Sequence, residues 1–233
     1  MPSRRQSQHR LGVNTTCNNH ALYKLFVGYA LNTVFMAKTK GNTWEDHYAI
    51  RARKEGFAAR SVYKLKEIQE KFAIIKKNDK VLDLGSAPGS WLQYAAQMVG
   101  KNGRVVGIDL KKIEVLLPVW VETHIGDIFE MNSIIPAEAI GSFNVVMSDM
   151  APATTGRKDV DAQRSLDLCR EAIAVSQDRL MAGGNFVCKI FQGAEFKEFS
   201  DSVKETFLKH KIFKPESCRK NSKEIYIIGI GKK

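Results

Sequence analysis

Between residues 58 and 72 the apolar side chains Val62, Leu65, Ile68 and Phe72 recur at spacings of three and four, and Arg60, Lys64 and Lys71 occupy the polar side. That periodicity predicts an amphipathic helix. Downstream, short apolar runs alternate with helical stretches. Strands are predicted over 80–85, 104–110, 121–125, 143–149 and 185–191, and helices over 91–99, 161–180 and 195–209. Strands of this composition have no wet face, so they predict a mostly parallel sheet covered by helices on both sides. Two final apolar runs, 212–217 and 224–230, are joined by the polar stretch CRKNSK. So short a connection suits a hairpin and not a crossover, which adds one antiparallel strand at the C-terminus. The expected fold class is therefore α/β, a twisted, mostly parallel sheet.

The sharpest local feature is VLDLGSAPGSW at 81–91, a strand that breaks into a turn holding two glycines and a proline. Gly85 and Gly89 allow backbone to approach a ligand where a Cβ would collide. Asp109 closes the next strand about twenty residues on, where a carboxylate suits the hydroxyls of a ribose. The turn is not G-x-G-x-x-G, the denser pattern that cradles a pyrophosphate. That counts against a nicotinamide-dependent dehydrogenase and favours a nucleoside cofactor without phosphate, such as S-adenosylmethionine. An ordinary strand-to-helix turn is the alternative.

In such a sheet ligands bind outside the carboxyl ends of the strands. The polar residues expected there are Asp83, Gly85, Asp109, Asp127, Asp149 and Lys189, converging on one crevice. Asp149 lies in MSDMAP, ahead of the polar stretch ATTGRKD, which reads as a substrate-facing lid bent at Gly156. Lys189 interrupts the apolar run NFVCKIF, and a lysine inside a doubly covered strand is costly unless it is paired or does chemistry, or its stem packs while the ammonium reaches the end of the sheet.

The charge distribution sharpens this picture. The formal charge of +11 is uneven: residues 81–191 carry ten basic and thirteen acidic side chains, and the flanking segments hold the basic excess. A mildly acidic cofactor core with basic flanks fits a polyanionic partner. Cys17, Cys169, Cys188 and Cys218 show no C-x-x-C spacing and no histidine cluster, so neither a disulfide framework nor a metal site is expected. No run of about eighteen apolar residues predicts a membrane span. Residues 1–36 contain Arg4, Arg5, Arg10 and Lys24 without a single acidic residue. They are expected to be an extension, whether disordered, a leader or an upstream start, ahead of one domain over 37–233.

Taken in order, ARSVYKL at 59–65, VLDLGSAPGSW at 81–91, the strand ending in Asp109, GDI at 126–128, SDMAP at 148–152, VCKIF at 187–191 and SKEIY at 222–226 resemble the FtsJ/RrmJ (RlmE) family of S-adenosylmethionine-dependent RNA 2'-O-ribose methyltransferases. The resemblance runs from about residue 50 to 231 and implies a Rossmann-like methyltransferase fold. It also implies a catalytic tetrad of Lys64, Asp149, Lys189 and Glu224, in which Lys189 accepts the proton of the ribose hydroxyl. Asp149 and Glu224 would orient it, and the charge of Lys64 would favour its neutral form, against the opposite pull of the two carboxylates. Cofactor contacts are implied for Gly85, Ser86, Pro88, Gly89, Ser90, Trp91, Asp109, Leu110, Asp127, Ile128 and Asp149. The turn departs from the family's A-A-P-G-G-W in carrying Ser86 and Ser90. RNA contacts are expected from Arg51, Arg53, Lys54, Arg60, Lys64, Arg157 and Lys158.

The expectation is thus a cytoplasmic, monomeric enzyme that methylates a uridine ribose of large-subunit (23S-type) ribosomal RNA, with no metal and no membrane contact. Organellar import through residues 1–36 stays open. The competing readings are a transfer-RNA 2'-O-methyltransferase and a non-catalytic RNA-binding ribosome-assembly factor on the same fold. The second would have no use for a lysine inside a strand.

Overall fold

A computed structural model of the protein describes residues 47–136, 142–152, 155–191, 193, 196–219 and 222–233. The extension expected over 1–36 lies outside them. Residues Trp44–Lys233 form a compact unit. Its described elements run in the order α1 (His47–Lys54), α2 (Val62–Phe72), β1 (Lys80–Leu84), α3 (Ser90–Val99), β2 (Arg104–Asp109), β3 (Val121–Ile125), α4 (Met131–Ile134), β4 (Phe143–Ser148), α5 (Lys158–Arg179), β5 (Leu180–Phe191), α6 (Phe196–Thr206), β6 (Phe207–Phe213) and β7 (Glu224–Lys232).

The seven strands make one sheet in the order β3-β2-β1-β4-β5-β7-β6. The first five are parallel neighbours, and β7 runs antiparallel between β5 and β6. This is the expected arrangement, with the antiparallel strand of the terminal hairpin inserted beside β5 and the other at the edge. Side chains alternate between two cores. Leu82, Val146, Cys188 and Ile227 pack against α4, α5 and α6. Val81, Val145, Met147, Val187 and Tyr226 pack against α2 and α3.

Helix α2 forms on the predicted stripe of Val62, Leu65 and Ile68, all fully buried. It stops at Ala73, which adopts the left-handed conformation at φ 51° and donates its N–H to Gln69 O at 2.8 Å. The buried Gln69 amide bonds both backbone groups of Ile75, at 2.9 and 2.7 Å, and so reverses the chain toward β1. Helix α1 has too weak an apolar pattern to be read from sequence. It is held by tertiary contacts: Ala52 is buried, Tyr48 packs 5.3 Å from Tyr63, and the Arg51 guanidinium lies 4.7 Å above the Tyr63 ring.

Several boundaries differ from expectation, among them the start of α2 at Val62 and the end of β6 at Phe213. Helix α5 starts at Lys158, earlier than residue 161. Strand β5 starts at Leu180, ahead of residue 185, because Leu180 pairs with Phe143 before a register shift that throws the MAGG stretch outward. Helix α6 ends at Thr206 because Phe207 leaves the helical path, to stack on Phe186 at 5.7 Å, and starts the edge strand there instead of at residue 212.

The Phe207 ring also lies over Gly229 of β7, where an added Cβ would sit 2.5 Å from ring carbons. Gly229→Ala should therefore overpack the β6–β7 junction and cost about 1–3 kcal/mol. The expected result is a lower urea midpoint with an unchanged slope of the unfolding free energy.

Candidate active site

The register of the sheet places the end-of-strand residues level with one another. Leu84 pairs with Ile108 and with Ser148, and Ser148 pairs with Cys188. The next residues, Gly85, Asp109, Asp149 and Lys189, therefore lie on one line across the sheet, which Tyr226 of β7 continues by pairing with Lys189. Alternation puts Asp149, Lys189 and Tyr226 on the face covered by α2 and α3. Lys64 comes down to them from α2, and Glu224, two residues before Tyr226, shares its face of β7.

The four members of the expected tetrad meet. The Lys189 ammonium stands 3.2 Å from Asp149 Oδ1 and donates to the Asp149 carbonyl. The Lys64 ammonium stands 2.6 Å from Glu224 Oε1 and 4.0 Å from the same oxygen of Asp149. Two ammonium groups thus share two carboxylates. The Tyr226 hydroxyl, fully buried beneath them, donates to Asp149 Oδ1 at 2.6 Å and lies 3.2 Å from Glu224 Oε1. Cys218 donates its S–H to the same Glu224 oxygen at 3.3 Å.

Electrostatics follow from that sharing. Burial works against the charge of Lys64, but Asp149 and Glu224 outweigh it and raise its pKa. Burial likewise opposes ionisation of Glu224, and is outweighed by the attraction and hydrogen bond of Lys64, so its pKa is lowered. A raised lysine keeps its stabilising charge below its ordinary value and loses it as pH rises through the elevated one. A lowered carboxylate keeps its contribution above its ordinary value and loses it as pH falls through the depressed one. The pair is charged throughout the neutral range. Burial and the two carboxylates push Tyr226 well above the ordinary tyrosine range, which keeps it a donor. Burial and Glu224 push the Cys218 thiol up to about 12.

Helix α2 is aimed by its own polar residues. Glu67 accepts from the backbone N–H groups of Glu216 and Ser217 at 2.6 and 2.9 Å, and Arg60 donates to Ser217 O. These bonds tie the helix that carries Lys64 to the connection that leads into Glu224. At the other end the Trp91 indole N–H donates to Ser61 O at 2.9 Å, its ring 6.0 Å from that of Tyr226.

The two glycines of the turn give room to the protein's own side chains. Gly85 and Gly89 have φ of 74° and 108°, and a Cβ on them would come 2.2 Å from Met150 Cγ and 2.7 Å from Val115 Cγ2. Both Asp109 oxygens accept backbone N–H groups, from Ala87 at 2.9 Å and Lys111 at 2.8 Å, which fixes the carboxylate at the lip of the turn. Pro88 and Leu110 are exposed beside it. A nucleoside cofactor fits these residues: a turn without Cβ atoms on one side and an oriented carboxylate on the other. The other residues named for the cofactor have these partners within the protein. Ser90 Oγ is 2.9 Å from Ser61 Oγ, and the Trp91 indole is an anchor for α2. Asp127 caps a short turn by accepting from Phe129 N at 3.1 Å. Ile128 is buried and lines a separate cavity of about 250 Å³ beside Asn132, Glu171 and Arg179.

Of the expected RNA contacts, Arg51, Arg53 and Lys54 are exposed on α1, with Arg51 paired to Glu55 at 2.6 Å. Arg157 is exposed immediately before α5, and the side chain of Lys158 lies outside the described residues. Sequence reasoning missed Met150, which covers Gly85, and Tyr226. The signal for Tyr226 was available, since a residue two positions from Glu224 on a strand must share its face.

Residues 57–232 match the model of the FtsJ-like methyltransferase family. The chain is 61% identical over 197 residues to ribosomal RNA large subunit methyltransferase E of Desulforapulum autotrophicum, covering 84% of this chain and 97% of that protein. It is 52% identical over 198 residues to the protein of the same name from Desulfatibacillum aliphaticivorans, covering 84% and 96%. Two solved structures share its fold. A Plasmodium falciparum protein assigned as a ribosomal RNA methyltransferase matches with a TM-score of 0.63 at 24% identity, over 76% of this chain and 98% of that one. Aeropyrum pernix fibrillarin, solved with natively bound S-adenosyl-L-methionine, matches with a TM-score of 0.52 at 14% identity, over 73% and 76%. With this agreement over most of its length, and with the sheet and glycine turn that the fold requires, the chain belongs to the FtsJ-like methyltransferase family.

Proposed function

We propose that the protein transfers a methyl group from S-adenosylmethionine to a ribose 2'-hydroxyl of large-subunit ribosomal RNA, at a uridine of a 23S-type molecule. The observation that carries the reaction type is the enclosed network of Lys64, Asp149, Lys189 and Glu224 beside the glycine turn. The ribosomal substrate is supported by the relatives, which bear the name ribosomal RNA large subunit methyltransferase E at up to 61% identity. Neither a transfer-RNA substrate nor a purely RNA-binding role draws similar support.

Gly85, Gly89, Asp109 and Asp149 are the residues that would hold the cofactor, with Asp109 on the ribose hydroxyls. When bound, the cofactor supplies an electrophilic methyl on a sulfonium. The residues of the chain have to make a hydroxyl into an adequate nucleophile by orienting it in line and removing its proton as attack proceeds. Lys189 would perform the second task. Its ammonium is held by two oxygens of Asp149, which leaves its remaining position for the substrate hydroxyl. To accept a proton it must first be neutral; Lys64 stands as a second cation 4.0 Å from the same carboxylate oxygen of Asp149. Glu224 and Tyr226 hold Lys64 and Asp149 at these distances. A phosphate neighbouring the target ribose would be met by Lys64 and by the cations of α1.

Lys189→Ala should abolish methyl transfer and leave cofactor affinity within a few-fold of the original, measured by tritium incorporation and by calorimetric titration with S-adenosylmethionine. Near-normal turnover would remove Lys189 from the mechanism. Mapping 2'-O-methyl sites after incubation with ribosomal subunits, total RNA and transfer RNA tests the substrate, and label confined to bases would reject the ribose assignment.

Affinity for RNA should fall steeply with salt, because phosphate neutralisation releases counterions. Replacing Arg53 and Lys54 together by alanine should make the plot of log affinity against log salt shallower by about one unit for each lost phosphate contact. A slope unchanged by the double substitution would take α1 out of the RNA interface.

A further inference from the structure

Asp83, like Lys189, is an ionisable residue buried inside a strand of the sheet, but among the described residues it has no hydrogen-bond partner. It is 1% exposed, and neither carboxyl oxygen has a hydrogen-bond partner. It lies two residues before Gly85 on β1, registered against Gly107 of β2 and Met147 of β4, on the face covered by α2 and α3. What each neighbouring element brings to it is unfavourable or already committed. Strands β2 and β4 end in Asp109 and Asp149, two further carboxylates. Helix α3 opens with Ser90 and Trp91, both bonded to Ser61. Lys64 of α2 is paired to Glu224, and Lys189 of β5 to Asp149. The turn contributes the Ser86 hydroxyl, which is buried and also lacks a partner.

An ionised carboxylate in such a place bears the full cost of desolvation, together with repulsion from two like charges. Burial first, then Asp149 and Asp109, push its pKa well above the ordinary aspartate range. In the free protein the ionised form of Asp83 is therefore disfavoured. The glycine turn that begins two residues on is where a cofactor carrying a sulfonium and an ammonium would bind, and a cation there would offset part of the burial cost together with the repulsion from Asp149 and Asp109.

We propose that Asp83 links cofactor binding to a proton: its carboxyl O–H bond breaks and the proton passes to the buffer when S-adenosylmethionine enters, and the proton returns when the donor has become the uncharged thioether and leaves. No electron changes hands. The consequence is discrimination between donor and product. S-adenosylhomocysteine lacks the sulfonium charge and gains less from an ionised Asp83, so the preference for donor over product grows as pH rises toward the pKa of Asp83 in the free protein. This rests on the cofactor reading above.

Calorimetric titrations with each compound test it, slightly below neutral pH, where the donor's own amino group stays charged. They would use phosphate, HEPES and Tris, buffers of different ionisation heat. With S-adenosylmethionine the binding heat of the natural protein should vary with the buffer, corresponding to release of up to about one proton per site. The variation should be smaller with S-adenosylhomocysteine and absent in Asp83→Asn. Heats independent of buffer, or a buffer dependence that survives in Asp83→Asn, would overturn the proposal although the cofactor still binds. Failure of both compounds to bind would overturn the cofactor reading itself and this one with it. The natural protein alone offers a second measurement that needs no variant. Its donor-to-product affinity ratio should climb by up to about tenfold per pH unit over the titration range, and a flat ratio would refute the link.

Discussion

Charge neutrality in a confined space governs this site. Lys64, Lys189, Asp149 and Glu224 are each mostly removed from water, and none could keep its charge there alone. Each has its partners within hydrogen-bonding distance, and the Tyr226 hydroxyl joins the two carboxylates from below. Because Asp149 answers to both lysines, a change in the charge on one is felt by the other. That sharing lets a lysine sit inside the sheet as a stable part of the fold.

The fold supplies this arrangement through two features of the sheet. Parallel pairing brings the carboxyl ends of β1, β2, β4 and β5 to the same level, so the glycine turn, Asp109, Asp149 and Lys189 form a line. The antiparallel β7 enters from the opposite direction. Its first residues, where Glu224 and Tyr226 lie, thereby reach the end of β5 that carries Lys189. A parallel strand at that position would have brought its last residues there, after a long crossover. Helix α2 adds the fourth member, and Glu67 ties it to the same hairpin that delivers Glu224, so the two partners of the Lys64–Glu224 pair move together.

Asp83 and Lys189 show opposite solutions to one problem. Both are ionisable residues in strands covered on both faces, two strands apart in the sheet. Lys189 has the carboxylate of Asp149 beside it, 3.2 Å away. Asp83 has carboxylates at the ends of both neighbouring strands and only cations already engaged nearby, so its ionisation is disfavoured. The glycine turn lies directly after Asp83, where Gly85 yields to the Met150 side chain and Ser86 turns its unpartnered hydroxyl inward.

Alternating periodicity determined the order of strands and helices, the doubly covered sheet and the terminal hairpin, because buried strands and amphipathic helices leave patterns within a few residues of chain. The oddness of a lysine in NFVCKIF and the glycines of VLDLGSAPGSW were equally local and equally legible. Tertiary structure alone decided that α1 exists, since its helix is held by Tyr63 and Ala52 contacts and not by its own pattern. It also turned Phe207 into a strand against Phe186, spent Trp91 and Ser90 on Ser61, and drew Tyr226 beneath the tetrad. Above all it decided which charges meet: Lys64, Asp149, Lys189 and Glu224 are scattered over 161 positions of chain, and their distances, and so the balance of attraction and burial that sets their protonation, come into being only when the sheet is assembled.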